Sequence, residues 1–148
     1  MALPRILVVE AHFYEEISDH LFNGAATVLR NAGVGFERIA VPGALEIPAI
    51  ISIANQGANP KFDGYVALGC VIRGETSHYE TVCSESARGL QVLAVSFGLA
   101  IGNGILTCET WEQAMVRARP DDQNKGGGAA EACLAVFEAR RRFGLVKP

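Results

Sequence analysis

The chain has no run of roughly 18 consecutive apolar residues, the length a membrane-crossing helix needs. It has no C-x-x-C pair either. Cys70, Cys83, Cys108 and Cys133 stand 13, 25 and 25 residues apart, which suits neither a zinc site nor a dense disulfide framework. Lys and Arg total 13 against 16 Asp and Glu, so there is no basic stripe for nucleic acid and no polybasic segment for a membrane surface. The start, Met1-Ala2-Leu3-Pro4-Arg5, lacks the basic lead and small-residue cleavage site of a secretory leader. Neither G-x-x-x-x-G-K-[ST] nor G-x-G-x-x-G occurs, and there is no internal repeat, linker or low-complexity tract. What remains is a cytoplasmic protein whose cysteines are small reduced core residues. Its partners are small molecules or other protein chains, with no nucleic acid and no membrane.

What is present is a chain of 148 residues, 49% hydrophobic and 20% charged, enough for one domain over 1–148 with a sizeable core. Short apolar runs alternate with helix-period stretches, the pattern of a parallel α/β sheet. Residues 5–10 form an aliphatic run suited to a strand covered on both faces. Ile17, Leu21, Phe22, Ala25, Val28 and Leu29 then recur at helical spacing, up to Asn31-Ala32-Gly33. Strands are predicted over 36–41, 65–72 and 99–106. A helix is predicted over 45–54 with Pro48 in its first turn, where its missing N–H costs little. Asn59-Pro60 reads as a turn. Residues 91–95 have a strand-like composition, yet Tyr79, Val82, Cys83, Ser86, Leu90, Leu93, Ala94 and Phe97 share one helical face. We therefore read a long helix ending at Gly98. A helix capped near Thr107 or Thr110 stops at Pro120, 121–128 reads as a polar, glycine-rich loop, and a last helix covers 129–143 and ends at Gly144. The expected fold is a flavodoxin-like three-layer α/β/α sandwich with a four-stranded parallel sheet. Such sheets bind ligands beyond the carboxyl ends of their strands.

Four strand ends therefore hold the candidate site. The first is followed by His12-Phe13-Tyr14, the second by Pro42-Gly43-Ala44-Leu45-Glu46, and the third by Arg73-Gly74-Glu75-Thr76-Ser77-His78. The fourth is expected to end in Asn103-Gly104-Ile105-Leu106-Thr107. In the third segment Gly74 allows a sharp turn and Thr76 or Ser77 can cap the next helix. The free N–H groups and dipole at that helix start favour an anion such as phosphate. His78 lies in the same first turn, where the dipole favours the neutral imidazole and a bound phosphate opposes it. The same residues also fit a plain helix cap and a structural histidine. Arg117 and Lys125 form a second candidate for anion binding, or a helix-surface arginine and a flexible loop. Phe13 can stack on a flat ring or cover the sheet end, and Glu46 can be a ligand acceptor or a first-turn carboxylate. His12 and His20 read as surface residues without metal partners, and Trp111 as packing or interface.

Together the segments V-P-G-A-L-E-I-P (41–48), G-C-V-I-R-G-E-T-S-H-Y (69–79), N-G-I-L-T (103–107), E-Q-A-x-x-R-A (112–118) and N-K-G-G (124–127) resemble the lumazine synthase family almost end to end. The resemblance implies a transferase of riboflavin biosynthesis. It condenses 5-amino-6-ribitylaminouracil with 3,4-dihydroxy-2-butanone 4-phosphate to 6,7-dimethyl-8-ribityllumazine, phosphate and water, without a metal or redox cofactor. It implies that Phe13 stacks on the pyrimidine, that Gly43, Ala44, Leu45 and Glu46 hold the ribityl chain, and that Cys70, Val71 and Ile72 line the site. By the same resemblance Glu75 and Thr76 bind phosphate through backbone N–H groups, His78 moves protons, and Arg117 of a neighbouring subunit completes the phosphate site with Lys125 at its edge. The family shares a pentamer core with active sites between subunits, and some members build shells of sixty chains. Riboflavin synthase is a candidate partner on the same ground. The chain departs from the family pattern at Asn103, where an aromatic commonly faces the ligand, at His12 and Tyr14, which replace the flanks in R-F-N, and in the loop 119–123, which replaces a more glycine-rich one.

Two other functions use the same strand ends: a flavodoxin-like flavin carrier, which would purify yellow, and a catalytically weak paralogue, which Asn103 keeps open. Lumazine formation from the two substrates separates these from the synthase.

Overall fold

The computed structural model describes residues 3–57, 59 and 61–146; Pro60, half of the expected Asn59-Pro60 turn, lies outside them. The elements run β1 (Arg5–Ala11), α1 (Glu15–Asn31), β2 (Gly35–Val41), a 3-10 turn (Ala44–Glu46), α2 (Ile47–Gln56), β3 (Gly64–Ile72), α3 (His78–Phe97), β4 (Ile101–Cys108), α4 (Trp111–Ala118) and α5 (Lys125–Arg142). The four strands are all parallel, in the order β2-β1-β3-β4. This is the expected flavodoxin-like arrangement.

Strand alternation assigns the two faces. Ile6 and Val8 join Val66 and Leu68 against α1, α4 and α5. Leu7 and Val9 join Tyr65 and Ala67 against α2 and α3. Burying each such aliphatic side chain contributes roughly 1.5–3 kcal/mol, which is what holds the three layers together. The long reading of α3 holds: Gly98 sits at φ +62, the left-handed position just past a helix.

Two expectations are corrected. The fourth strand begins at Ile101 and ends at Cys108, two residues later than predicted. The amide of Leu99 closes α3 by bonding to Ala94 O (3.2 Å), so strand pairing starts beyond it. Asn103 consequently lies inside β4 rather than at its end. The last helix begins at Lys125, not Ala129. Asn124, in the left-handed region at φ +50, caps it by accepting from Gly127 N (3.2 Å). Gly126 lies directly on the carbonyl of Leu21 in α1, and a Cβ there would collide with it. The glycines that read as a loop are instead the contact where α1 and α5 meet.

Candidate active site

The carboxyl ends of β1, β2 and β3 open into a cleft of about 400 Å³. From β1 come Phe13 and Tyr14, from the turn after β2 Pro42 to Glu46, and from β3 Cys70, Val71 and Ile72, while α3 adds His78 and Val82. Phe13 is 72% exposed, a large aromatic face left to the cleft. It is steadied edge-on by Tyr14 (ring centres 4.9 Å apart), which is itself edge-on to Trp111 (5.9 Å). Burial, and then the neighbouring Cys70, raises the pKa of the Tyr14 hydroxyl. Burial, with smaller contributions from Cys108 and Cys83, pushes the Cys70 thiol up to about 12, so this wall residue is a neutral thiol and no nucleophile at pH 7. The carboxylate of Glu46 folds back over Gly43, close enough that a Cβ on that glycine would lie 3.4 Å from Oε1. The Gly43 side of the turn and Glu46 thus present one concave polar edge.

Beyond β3 the chain makes an exposed turn, Gly74 to Ser77, before His78 opens α3. Among the described residues the backbone N–H groups of Gly74, Glu75, Thr76 and Ser77 have no acceptor. Four free donors next to a helix start form an anion cradle. Of the two expected caps, Thr76 is the one whose hydroxyl works, accepting from His78 N at 3.3 Å, whereas Ser77 makes no side-chain capping bond. Arg73, just before the turn, is held by two carboxylates: Nε donates to Glu109 (2.7 Å) and Nη1 to Glu80. Its guanidinium also lies 4.3 Å from the ring centre of Tyr79.

Asn103, Arg117 and Lys125 are elsewhere. They line a second cleft of about 410 Å³ formed by β4, α4 and α5, together with Thr107. The two clefts share no residue. Arg117 donates to Gln113 O in its own helix (3.0 Å), and among the described residues neither Arg117 nor Lys125 pairs with a carboxylate. The two cations are therefore available to an anion. Asn103 accepts the amide of Ile105 (2.9 Å), which leaves that edge N–H of β4 satisfied. One chain thus carries a cleft with an aromatic, a carboxylate and an imidazole, and separately a cleft with two cations.

Three side chains at these strand ends make contacts that the sequence does not announce. In sequence Tyr14 stands out only as a flank of Phe13, Arg73 only as a member of the third strand-end segment, and His12 reads as a surface residue. His12 Nε2 is 3.2 Å from Glu10 Oε1, and Glu10, only 2% exposed, also receives Arg38 at 2.7 and 2.9 Å. Arg38 in turn stacks 3.4 Å from the Phe22 ring centre. The signal was available, since residues 10 and 12 of an extended strand point to one face. That face packs on α1, and none of Glu10, His12 and Arg38 lines the cleft, so the cluster supports the strand end.

The sequence profile described as 6,7-dimethyl-8-ribityllumazine synthase matches residues 4–141. The chain is similar to the 6,7-dimethyl-8-ribityllumazine synthase of Bartonella tribocorum, 57% identical over 141 residues, covering 95% of this chain and 93% of that one. It is similar to that of Bartonella bacilliformis at 55% over 141 residues, with the same coverage of 95% and 93%. Against that of Agrobacterium fabrum it is 51% identical over 147 residues, 97% of this chain and 99% of the relative.

Proposed function

The chain belongs to the 6,7-dimethyl-8-ribityllumazine synthase family, a transferase of riboflavin biosynthesis, and we propose that it carries out the family's condensation in sites shared between two copies of itself. The observation that carries this reading is the division of the site residues into two clefts with no residue in common. Each half alone lacks what the reaction needs. The first has no cation for a departing phosphate, and the second has no aromatic face, no carboxylate and no imidazole.

Phe13 stacks on the pyrimidine of the ribitylaminouracil against the apolar wall of Cys70, Val71 and Ile72. Gly43, Ala44 and Leu45 bring the backbone close to the ribityl chain, and Glu46 accepts hydrogen bonds from its hydroxyls. The phosphate of the butanone lies on the free amides at Glu75 and Thr76, with Arg117 from the neighbouring copy above it and Lys125 at the edge. Asn103 of that neighbour faces the ring.

An amine of the uracil attacks the ketone and water is lost to give an imine. Phosphate is then eliminated to leave an enol that tautomerises to a methyl ketone, and the second amine attacks that ketone and closes the ring with loss of a second water. Every step moves a proton, so one imidazole, His78, serves as base and later as acid. The departing phosphate needs N–H donors and positive charge rather than a nucleophile. Holding two already reactive substrates in contact supplies much of the acceleration, so no covalent intermediate is needed.

A shared site demands an oligomer, at least a pentamer by the family resemblance. Exposed Val95 (80%), Phe143 and Leu145, which line one surface groove, favour this, because contiguous apolar surface calls for a cover. The test mixes two variants. His78→Ala and Arg117→Ala chains, unfolded together and refolded as one population, place intact halves side by side in about a quarter of the sites of a head-to-tail ring. Lumazine formation should then exceed the sum of the two separate preparations. No gain on mixing, with oligomers formed, refutes the shared site.

A further inference from the structure

The residue that stands between the cleft and the 74–77 turn has a side chain that bonds to the elements on either side of that turn. Arg73 extends the β3–β4 ladder by one bond, its N–H reaching Cys108 O at 3.0 Å. Its guanidinium then spans two other elements. Nε donates to Glu109 Oε2 (2.7 Å) at the junction of β4 and α4, Nη1 donates to Glu80 Oε1 in the first turn of α3, and the plane lies over Tyr79. Glu109 is a fixed anchor, because its own amide donates to Gln113 Oε1 (2.8 Å) in the first turn of α4.

We propose that Arg73, held by Glu80 and Glu109, is a positioning residue for the phosphate turn and His78, and is not itself a phosphate ligand. This rests on the reading above that the turn binds the substrate's phosphate. The turn has little else to hold it. A Cβ on Gly74 would meet nothing within 4 Å, residues 73–78 are all exposed, and its own bonds are His78 N to Thr76 Oγ1 and those of Glu80 N and Thr81 N to Ser77 O. The clamp fixes the two ends of the turn, at residues 73 and 80, to β4 and α4, and so sets the distance from the free amides to the imidazole. Charge argues against a direct role. Two carboxylates against one guanidinium leave the group net negative, which attracts no dianion. Both carboxylates raise the Arg73 pKa, so its positive charge persists at any working pH. A planar fork can reach two separate carboxylates at once, and an ammonium in its place cannot keep that geometry. Exposed ion pairs add little to global stability, so the effect is local.

Steady-state kinetics of the assembled protein with both substrates, beside thermal unfolding, tests this. Glu109→Ala should raise the KM for the butanone phosphate by about 10-fold, the scale of a small misplacement. The KM for the ribitylaminouracil and the Tm should stay put. Glu109→Gln, whose amide oxygen still accepts from Nε, should restore most of the loss, and Arg73→Lys should behave like Glu109→Ala. If Arg73 acted by charge, Glu109→Ala and Glu109→Gln would alike free its cation and lower that KM; this result overturns the positioning role. Equal changes in both KM values with a lower Tm overturn it too, since they mean general loss of structure. If these variants change nothing while Arg117→Ala raises the phosphate KM, the clamp is refuted and the phosphate site stands. If Arg117→Ala also changes nothing, the phosphate site itself is wrong and the clamp falls with it.

Discussion

Two helices in this chain begin beside glycines. At α3, Gly74 faces open space and the amides that follow it are free. At α5, Gly126 is pressed on the Leu21 carbonyl, Gly127 on the Asn124 side chain, and the opposing Gly24 of α1 on Asn124 as well. In sequence the first reads as a hydroxyl-rich turn with a single glycine, and the second as a polar, glycine-rich loop. One is an open turn with free amides; the other is a packing surface where two backbones approach with no Cβ between them. A glycine in the sequence does not by itself say whether a side chain would collide there; the fold shows that Gly126 has no room for a Cβ and that Gly74 has.

Gly126→Ala breaks the packed side, and the largest effect is expected there. The colliding atom is backbone and cannot swing aside, so the loss of stability should be about 3 kcal/mol, the upper range for overpacking. For a chain of this size that lowers the Tm by about 10 °C. Gly74→Ala should leave stability within about 0.5 kcal/mol, as at an open surface position. Thermal unfolding at matched protein concentration compares them. A Gly126→Ala protein as stable as the parent removes the contact between α1 and α5 on which the contrast depends.

The open side is tested by chemistry. His78→Ala should cut kcat by roughly 10-fold to 100-fold, modest for a general base because the substrates already react with each other. Its KM values should hardly move. Arg117→Ala should instead raise the KM of the phosphorylated substrate with less change in kcat. Interchanged effects, with His78→Ala acting on KM alone, contradict the division of labour between the two clefts.

Much of this was legible in the sequence, for identifiable reasons. The strand pattern and α3 were readable because apolar periodicity records which face is covered, and Gly98 marks a helix end by its backbone needs. Phe13, the 43–46 turn, the Gly69–Ile72 strand end and the 74–78 turn could be picked out because they follow strands in a parallel sheet. What escaped depended on partners distant in sequence. The start of α5 is fixed by Leu21 and Gly24, about a hundred positions earlier, so composition alone gave a loop. The shift of β4 is set by one amide spent on closing α3. The Arg73 bonds join residues 36 and 7 positions apart, and no local pattern announces a side chain shared between two elements.

The packed side also carries a dependence on pH. Burial pushes the thiol of Cys133, on α5 and bonded to Ala100 O at 3.5 Å, up to about 12. Because the folded value lies above the unfolded one, the native state holds the proton that the unfolded chain gives up. The stabilisation is complete below about pH 8.5 and is lost as the pH rises towards 12. Urea unfolding of the parent should therefore weaken from pH 9 to 11 by up to about 1.4 kcal/mol per pH unit from this thiol. Cys133→Ala should flatten that fall. Parallel pH profiles for parent and variant refute the assignment to Cys133.

The smallest effect sharpens the contrast most, because it lies within the same three glycines. Gly128 is exposed on α5, has no neighbour within 4 Å of a would-be Cβ, and has no positive φ. It is needed neither for packing nor for a turn, so it only costs backbone entropy in a helix interior. Gly128→Ala should stabilise the chain by about 0.5–1 kcal/mol, the ordinary preference of helices for alanine. It also lines the second cleft beside Lys125, so any effect on activity should appear in the phosphate KM. A rise in Tm for Gly128→Ala and a fall for Gly126→Ala, two positions apart, would separate the glycine that admits α1 from the one that the helix can spare. If both lower the Tm alike, α5 does not begin at Lys125, and the residues before Ala129 form the loop that composition suggests.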